Sequence, residues 1–196
     1  MTRVAVIQRP PVFLDRAQTL KNAVAALAEA AENGAQLAVF PEALVPGYPA
    51  WMWRLRPGPD MALTERLHAR LRANSVSLAA DELAPLRQAA RQHKVVVVCG
   101  IHERDTDSGG GTLYNTVVTI GADGALLNRH RKLMPTNPER MVWGCGERRR
   151  LRVDLEPLGR KMTTADGDGQ RGVEDRMEGY DDPERAARRH GHAVYS

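Results

Sequence analysis

The chain has 196 residues, 42% apolar and 27% charged, the usage of a globular protein with room for one substantial core. No apolar run approaches the roughly 20 residues that span a bilayer, and no charged-then-apolar leader opens the sequence. Two cysteines, Cys99 and Cys145, are too few for a disulfide framework and point to a reducing, cytoplasmic setting.

The net charge of +4 is unevenly spread. Residues 1–128 carry 13 basic and 12 acidic side chains, residues 129–160 carry 9 and 4, and residues 161–196 carry 6 and 8. The last stretch contains no Leu, Ile, Phe or Trp, so it differs in kind from what precedes it.

In chain order, residues 3–8 read as a short buried strand that Pro10 and Pro11 end. Asp15 is placed to cap a helix whose apolar positions Leu20, Val24, Leu27, Ala28 and Ala31 recur at helical spacing, with Gly34 as its stop. Gln36 to Phe40 forms a second apolar strand running into Pro41 and Glu42, and this strand–helix–strand order predicts a layered α/β fold. Residues 43–60, rich in Pro, Gly and Trp, predict a long structured loop. Residues 61–92 predict one or two helices, with Pro85 near a helix start.

Val95 to Ile101 shows no alternation and reads as a strand buried on both faces. Leu113 to Ile120 pairs across a polar loop, and Gly121 to Gly124 is a turn. Adjacent strands joined this way predict a mixed sheet, whose edge Arg129 to Leu133 is expected to leave. No internal repeat or nucleic-acid motif is present; Arg148 to Arg150 is a short basic run without interleaved aromatics.

Glu42 lies just past the end of an apolar strand, where α/β folds build their sites. Apolar neighbours there would raise its pKa and make it a usable general base; a solvated strand-end glutamate is the bland alternative. Lys132 could stabilise a developing negative charge, or belong to a basic surface run. Glu139 could position Lys132, relay a proton, or sit at a helix N-terminus beside a favourable dipole. Cys99 in its apolar strand reads as a small buried hydrophobe, and Cys145, between two glycines and near arginines, is the more electropositive thiol. His102, His130, His190 and His192 lack metal-ligand spacing with carboxylate or thiol partners, so no metal is expected.

Taken together, several strings resemble the nitrilase branch of the carbon–nitrogen hydrolase superfamily. They are Val4 to Gln8, Phe40-Pro-Glu42, Val45 to Trp51, Gly100 to Arg104, Tyr114-Asn-Thr116, His130 to Thr136 and Glu139 to Gly144, in unbroken order. The resemblance implies an αββα sandwich whose subunits pair sheet-to-sheet and often assemble into spirals. It also implies a cysteine thiolate that attacks a nitrile carbon, giving a thioimidate and then an acyl-enzyme, with acid and ammonia as products. By that resemblance Glu42 matches the general base, Lys132 the lysine that stabilises the tetrahedral intermediate, and Glu139 the positioning glutamate. Tyr48 and Trp51 would help wall the substrate pocket. The implied partners are a small nitrile and further copies of the chain, without nucleic acid, membrane, metal or organic cofactor.

The sequence departs from the pattern where the family places its nucleophile, in a Cys-Trp-Glu string behind a Gly-Arg and a short apolar run. Gly159 and Arg160 stand in the lead-in, but no cysteine follows, and Asp166 occupies about the nucleophile's place. A carboxylate there is a weaker nucleophile and would repel Glu42. Divergence between residues 145 and 160, as a frame shift or a new end would produce, predicts a truncated hydrolase domain over 1–160 and a disordered polar tail over 161–196. Three functions follow as expectations: a nitrilase by ancestry that is inactive alone, or less readily an amidase of the same superfamily; a non-catalytic remnant that associates with full-length relatives; and a basic binding protein using residues 129–152.

Overall fold

A computed structural model of the chain describes residues 2–105, 111–147, 152–155 and 160–163, the last two segments as backbone. Arg148 to Arg150, Asp166, His190, His192 and the polar stretch from residue 164 lie outside the described residues.

The first half follows the local signals closely. Strand β1 (Val4–Val6) leads to helix α1 (Arg16–Glu32), and the Asp15 side chain caps that helix by accepting the Gln18 N–H at 2.9 Å. The helix ends at Asn33, and Gly34 takes φ +78°, a left-handed turn that favours glycine. Strand β2 (Leu37–Val39) follows. The loop beyond it contains a 3-10 turn over Ala50–Trp53.

The helical stretch expected at 61–92 is two helices, α2 (Met61–Asn74) and α3 (Ala84–His93), with Pro85 in the first turn of α3. Between them Val76 leaves the helical path: its N–H donates to the His102 carbonyl at 2.7 Å and its carbonyl accepts the Arg104 N–H at 2.8 Å.

Strands β3 (Val96–Arg104), β4 (Leu113–Ile120) and β5 (Leu126–Arg131) complete a sheet of order β1-β2-β3-β4-β5. The β1, β2 and β3 pairs are parallel and the β3, β4 and β5 pairs antiparallel, so the sheet is mixed as expected. One expectation is corrected. Residues 129–131 do not leave the sheet edge but are its fifth strand, with Thr116 opposite Arg131 and Val118 opposite Arg129. β6 (Arg152–Leu155) and β7 (Arg160–Thr163) form a separate two-stranded sheet, and β7 spans the point where the sequence suggests a domain boundary.

The two faces of the main sheet differ. Leu20, Ala23 and Leu27 of α1 and Leu86, Ala89 and Ala90 of α3 pack on Val97, Cys99, Ile101, Val118 and Ile120 in the main core. On the opposite face Val4, Val6 and Val117 stay exposed, Val6 at 69%. A second core joins Leu14, Trp51, Met52, Leu71, Leu113, Val142 and Trp143.

Gly100 fixes how the Glu42 segment crosses β3. A Cβ at Gly100 would lie 2.5 Å from both the Ala43 nitrogen and the Pro41 oxygen, and 2.7 Å from the Glu42 Cα. All three contacts are backbone, so a side chain must displace the turn that carries Glu42. Gly100→Ala is therefore expected to cost about 1–3 kcal/mol of stability. Urea denaturation checks this, and wild-type stability in the variant would contradict the close approach.

Candidate active site

Three separate segments bring Glu42, Lys132 and Glu139 together. The chain from Phe40 to Val45 runs along β3: Phe40 N–H donates to the Val98 carbonyl at 2.8 Å, and Val45 N–H donates to the Gly100 carbonyl at 3.3 Å. Between those anchors Ala43 adopts φ +51°, an uncommon backbone for an alanine, in the tight turn that carries Glu42 over Gly100. Lys132 immediately follows β5, and its backbone N–H donates to the Asn115 carbonyl at 2.7 Å. Glu139 sits in the 3-10 turn Pro138–Met141, where its Oε2 accepts the Thr136 N–H at 2.7 Å.

The Lys132 Nζ lies 3.0 Å from Glu42 Oε1, and 3.1 and 2.9 Å from Glu139 Oε1 and Oε2. Glu139 also accepts the Tyr48 hydroxyl at 2.9 Å, and Tyr48 in turn accepts the Trp53 indole N–H at 3.3 Å. Asn115 Nδ2 donates to Glu42 Oε1 at 2.6 Å. One ammonium thus joins two carboxylates, one buried and one open: the Glu139 side chain is 4% exposed, that of Glu42 51%. The apolar surroundings expected for Glu42 are not found; its neighbours are an ammonium and an amide, because Lys132 and Asn115 converge on it from β5 and β4.

Electrostatics follows from this packing. Burial alone would raise the Glu139 carboxyl, but hydrogen bonds from Lys132, Thr136 and Tyr48 hold it below its ordinary range. Burial works against the Lys132 charge, yet bonds to Glu139 and Glu42 and their Coulombic attraction raise its pKa. Burial raises the Tyr48 phenol; the bond from Trp53 opposes this and Glu139 adds to it. At neutral pH the cluster therefore holds an anionic Glu139, a cationic Lys132 and a protonated Tyr48. An ammonium fixed in this way can neutralise negative charge developing on a bound substrate, and the open carboxylate beside it is accessible for proton transfer.

Of the two rings expected along the substrate pocket, Tyr48 joins the cluster. Trp51 lies in the second core, with its ring centroid 5.8 Å from that of Phe13 in an edge-on contact. The ring that bonds Tyr48 is instead Trp53, which is exposed. Asn115 and Trp53 are the contributors that sequence reasoning missed. Asn115 stands in one of the strings that carry the resemblance, Tyr114-Asn-Thr116, and could have been found there.

Neither cysteine joins this network. Cys99 is fully buried with the aliphatic side chains of the main core, where burial pushes its thiol up to about 12 and keeps it protonated. Cys145 is exposed, in a segment held by Gly144 N–H on the Leu113 carbonyl and Gly146 N–H on the Lys132 carbonyl, both at 2.9 Å. Among the described residues no group of three or more His, Cys, Asp or Glu side chains could hold a metal ion. No described helix is long and apolar enough to cross a membrane.

Comparison with known proteins gives one consistent picture. The profile of the carbon-nitrogen hydrolase family matches residues 3–168. An aliphatic nitrilase of Rhodococcus rhodochrous is 42% identical over 158 residues, covering 81% of this chain and 41% of that protein. An arylacetonitrilase of Aspergillus niger is 44% identical over 160 residues, covering 81% and 44%. A bifunctional nitrilase/nitrile hydratase of Lupinus angustifolius is 38% identical over 159 residues, covering 81% and 44%. The chain thus spans less than half the length of these relatives. Among solved structures, an amidase from Nesterenkonia sp. superposes with a TM-score of 0.53 at 20% identity, over 78% of this chain and 51% of that one. A carbon-nitrogen hydrolase from Helicobacter pylori G27 superposes with a TM-score of 0.53 at 18% identity, over 78% and 47%. These likenesses share the fold described above.

Proposed function

Because the chain belongs to the carbon-nitrogen hydrolase family, we propose that Glu42, Lys132 and Glu139 are the polar part of a nitrile-hydrolysing site. The observation that carries this reading is Lys132 Nζ within 3.0 Å of Glu42 and 2.9 Å of Glu139. In the reaction a thiol gives its proton to Glu42, and the thiolate adds to the nitrile carbon. The nitrogen takes up that proton and the product is a thioimidate. Water, deprotonated by Glu42, then adds, ammonia leaves, and a second water frees the carboxylic acid and restores the thiol. Lys132 faces the negative charge that builds on the tetrahedral centre, and Glu139 with Tyr48 holds Lys132 in place. The sequence relatives are named as nitrilases, which favours a nitrile over the amide of the more distant structural relatives.

The thiol is the part this chain does not supply, so the chain is inactive by itself. Cys99 is protonated and enclosed, and Asp166 stands where the resemblance calls for cysteine. Mass mapping after reaction with a nitrile-bearing electrophile tests this. Cys145 is expected to react at the same rate in wild type and Glu42→Gln, and Cys99 only after unfolding. Modification of Cys145 that depends on Glu42 would show that Cys145 serves as the nucleophile and overturn the reading.

A second reading, a non-catalytic partner of full-length relatives or of further copies of itself, is favoured by one observation. Val4, Val6 and Val117 are exposed on the sheet face away from α1 and α3. Sedimentation of the chain alone and mixed with a full-length nitrilase tests it; a monomer that ignores the nitrilase would dismiss it.

A further inference from the structure

His102 lies fully buried in β3, a strand otherwise rich in valine and isoleucine. Strand alternation turns it away from Cys99 and Ile101, onto the face where it stands opposite Asn115, the residue that binds Glu42. Its ring bridges two segments distant in sequence. The Trp143 indole N–H lies 3.0 Å from His102 Nδ1, and His102 Nε2 lies 3.0 Å from the Gly47 carbonyl oxygen. Indole nitrogen only donates, so Nδ1 must accept; the ring proton therefore sits on Nε2 and is donated to Gly47. Both hydrogen bonds exist together only in this one neutral tautomer.

What the ring ties together is the site. Gly47 immediately precedes Tyr48, whose hydroxyl holds Glu139. Trp143 donates its backbone N–H to the Glu139 carbonyl at 2.8 Å, and its ring meets Tyr48 edge-on with centroids 5.6 Å apart. The His102 and Trp143 rings are 5.1 Å apart, and Lys132 Nζ lies 6.0 Å from the Trp143 ring centre. The loop bearing Tyr48 and the turn bearing Glu139 thus meet through one imidazole.

We propose that His102 is a positioning residue: its Nε2-protonated ring sets the separation of the Tyr48 loop from the Glu139–Trp143 segment, and so the geometry around Lys132. The proposal rests on reading that cluster as the site, but its test needs no turnover.

The experiment follows the Tyr48 phenol titration by NMR of the tyrosine-labelled full chain, assigned with Tyr48→Phe, together with the Trp143 indole N–H signal. His102→Leu removes both bonds. His102→Asn keeps an acceptor near the Nδ1 position, and His102→Gln keeps a donor near the Nε2 position. The expected result is a Tyr48 pKa lowered by at least about half a unit in His102→Leu, as the loop opens to water and Tyr48 leaves Glu139. Intermediate values are expected in the Asn and Gln variants, with the Trp143 indole resonance displaced in Gln but retained in Asn. Should His102→Leu not fold, the Asn and Gln variants decide. A residue that only supports the fold would lower thermal stability in all three while leaving the Tyr48 titration of the folded protein in place, and that result overturns the proposal. A shifted Tyr48 titration together with Glu42-dependent modification of Cys145 would overturn the functional reading and leave this one standing.

Discussion

Replacing Arg131 with methionine is expected to cost about 3–5 kcal/mol of folding stability, the magnitude for stripping one partner from a buried ion pair. The Arg131 side chain is 7% exposed and that of Glu103 is 3%. The guanidinium Nε lies 3.2 Å from both Glu103 oxygens and Nη2 lies 2.6 Å from Oε1, while Thr116 donates its hydroxyl to Oε2 at 2.8 Å. The guanidinium also sits 3.7 Å from the centre of the Tyr114 ring and 3.6 Å from Asp105. Burial alone would lower the Arg131 pKa, but Glu103 and Asp105 more than offset it. Methionine would strip Glu103 of its closest guanidinium, with Arg129, 3.3 Å from Glu103, left to compensate in part.

Because Arg131 ends β5 and Lys132 follows it directly, the lost stability would fall on the segment that presents Lys132. Combining Arg131→Met with Glu103→Leu is expected to recover much of the loss, since the uncompensated carboxylate is then gone. Equilibrium denaturation of both variants checks this. A loss below about 1 kcal/mol in Arg131→Met would show that the pair is more solvated than its burial indicates.

The second large effect is acid lability below pH 6.5. Burial pushes the His102 imidazole from 6.5 down to about 3, against the smaller opposing effect of its bond to Gly47. The unfolded chain therefore takes up a proton below pH 6.5 that the folded chain refuses, and stability falls as pH falls. Each pH unit in that window is worth about 1.4 kcal/mol, so the loss reaches roughly 4–5 kcal/mol near pH 3. His68, lowered by burial and by Arg72, contributes in the same direction. Glu139, with its depressed carboxyl, adds stability that is present above its ordinary 4.5 and is lost as pH falls through its folded value.

On the alkaline side, the raised Cys99 thiol makes stability fall above its ordinary 9.0, and the raised Lys132 adds a loss as pH climbs through its folded value. A plateau between about pH 6.5 and 9 follows from these shifts. Urea titrations across pH are expected to show a slope of at least one proton between 6.5 and 4.5 in wild type, with the His102 share removed in His102→Gln and the smaller His68 share retained. Equal slopes in the two proteins would contradict the assignment.

The boundary between what was legible in the sequence and what was not has physical causes. Asp15, the Leu20-to-Ala31 spacing and Gly34 define α1 by local rules, and the structure follows them. β5 was hidden because Asn128, Arg129, His130 and Arg131 carry no apolar alternation; they belong in a sheet because Glu103, 28 residues before Arg131, neutralises the arginines. Glu42, Lys132 and Glu139 were legible as motif positions, but the polar setting of Glu42 depends on Asn115, which the strand pairing alone brings into reach. The interchange of Trp51 and Trp53 is a matter of helical phase: the 3-10 turn over Ala50–Trp53 points the first ring into the core and leaves the second beside Tyr48. His102 looked like a histidine without metal partners, and its actual partners, Gly47 and Trp143, are 55 and 41 residues away.

Under the proposed function, Glu42, Lys132 and Glu139 form the polar part of a nitrile-hydrolysing site to which neither Cys99 nor Cys145 lends its thiol. Ammonia release by the purified chain from a panel of aliphatic and arylaliphatic nitriles, with Glu42→Gln as control, tests this most directly. No release above that of the variant is the predicted result. Turnover by the wild-type chain that Glu42→Gln abolishes would contradict it.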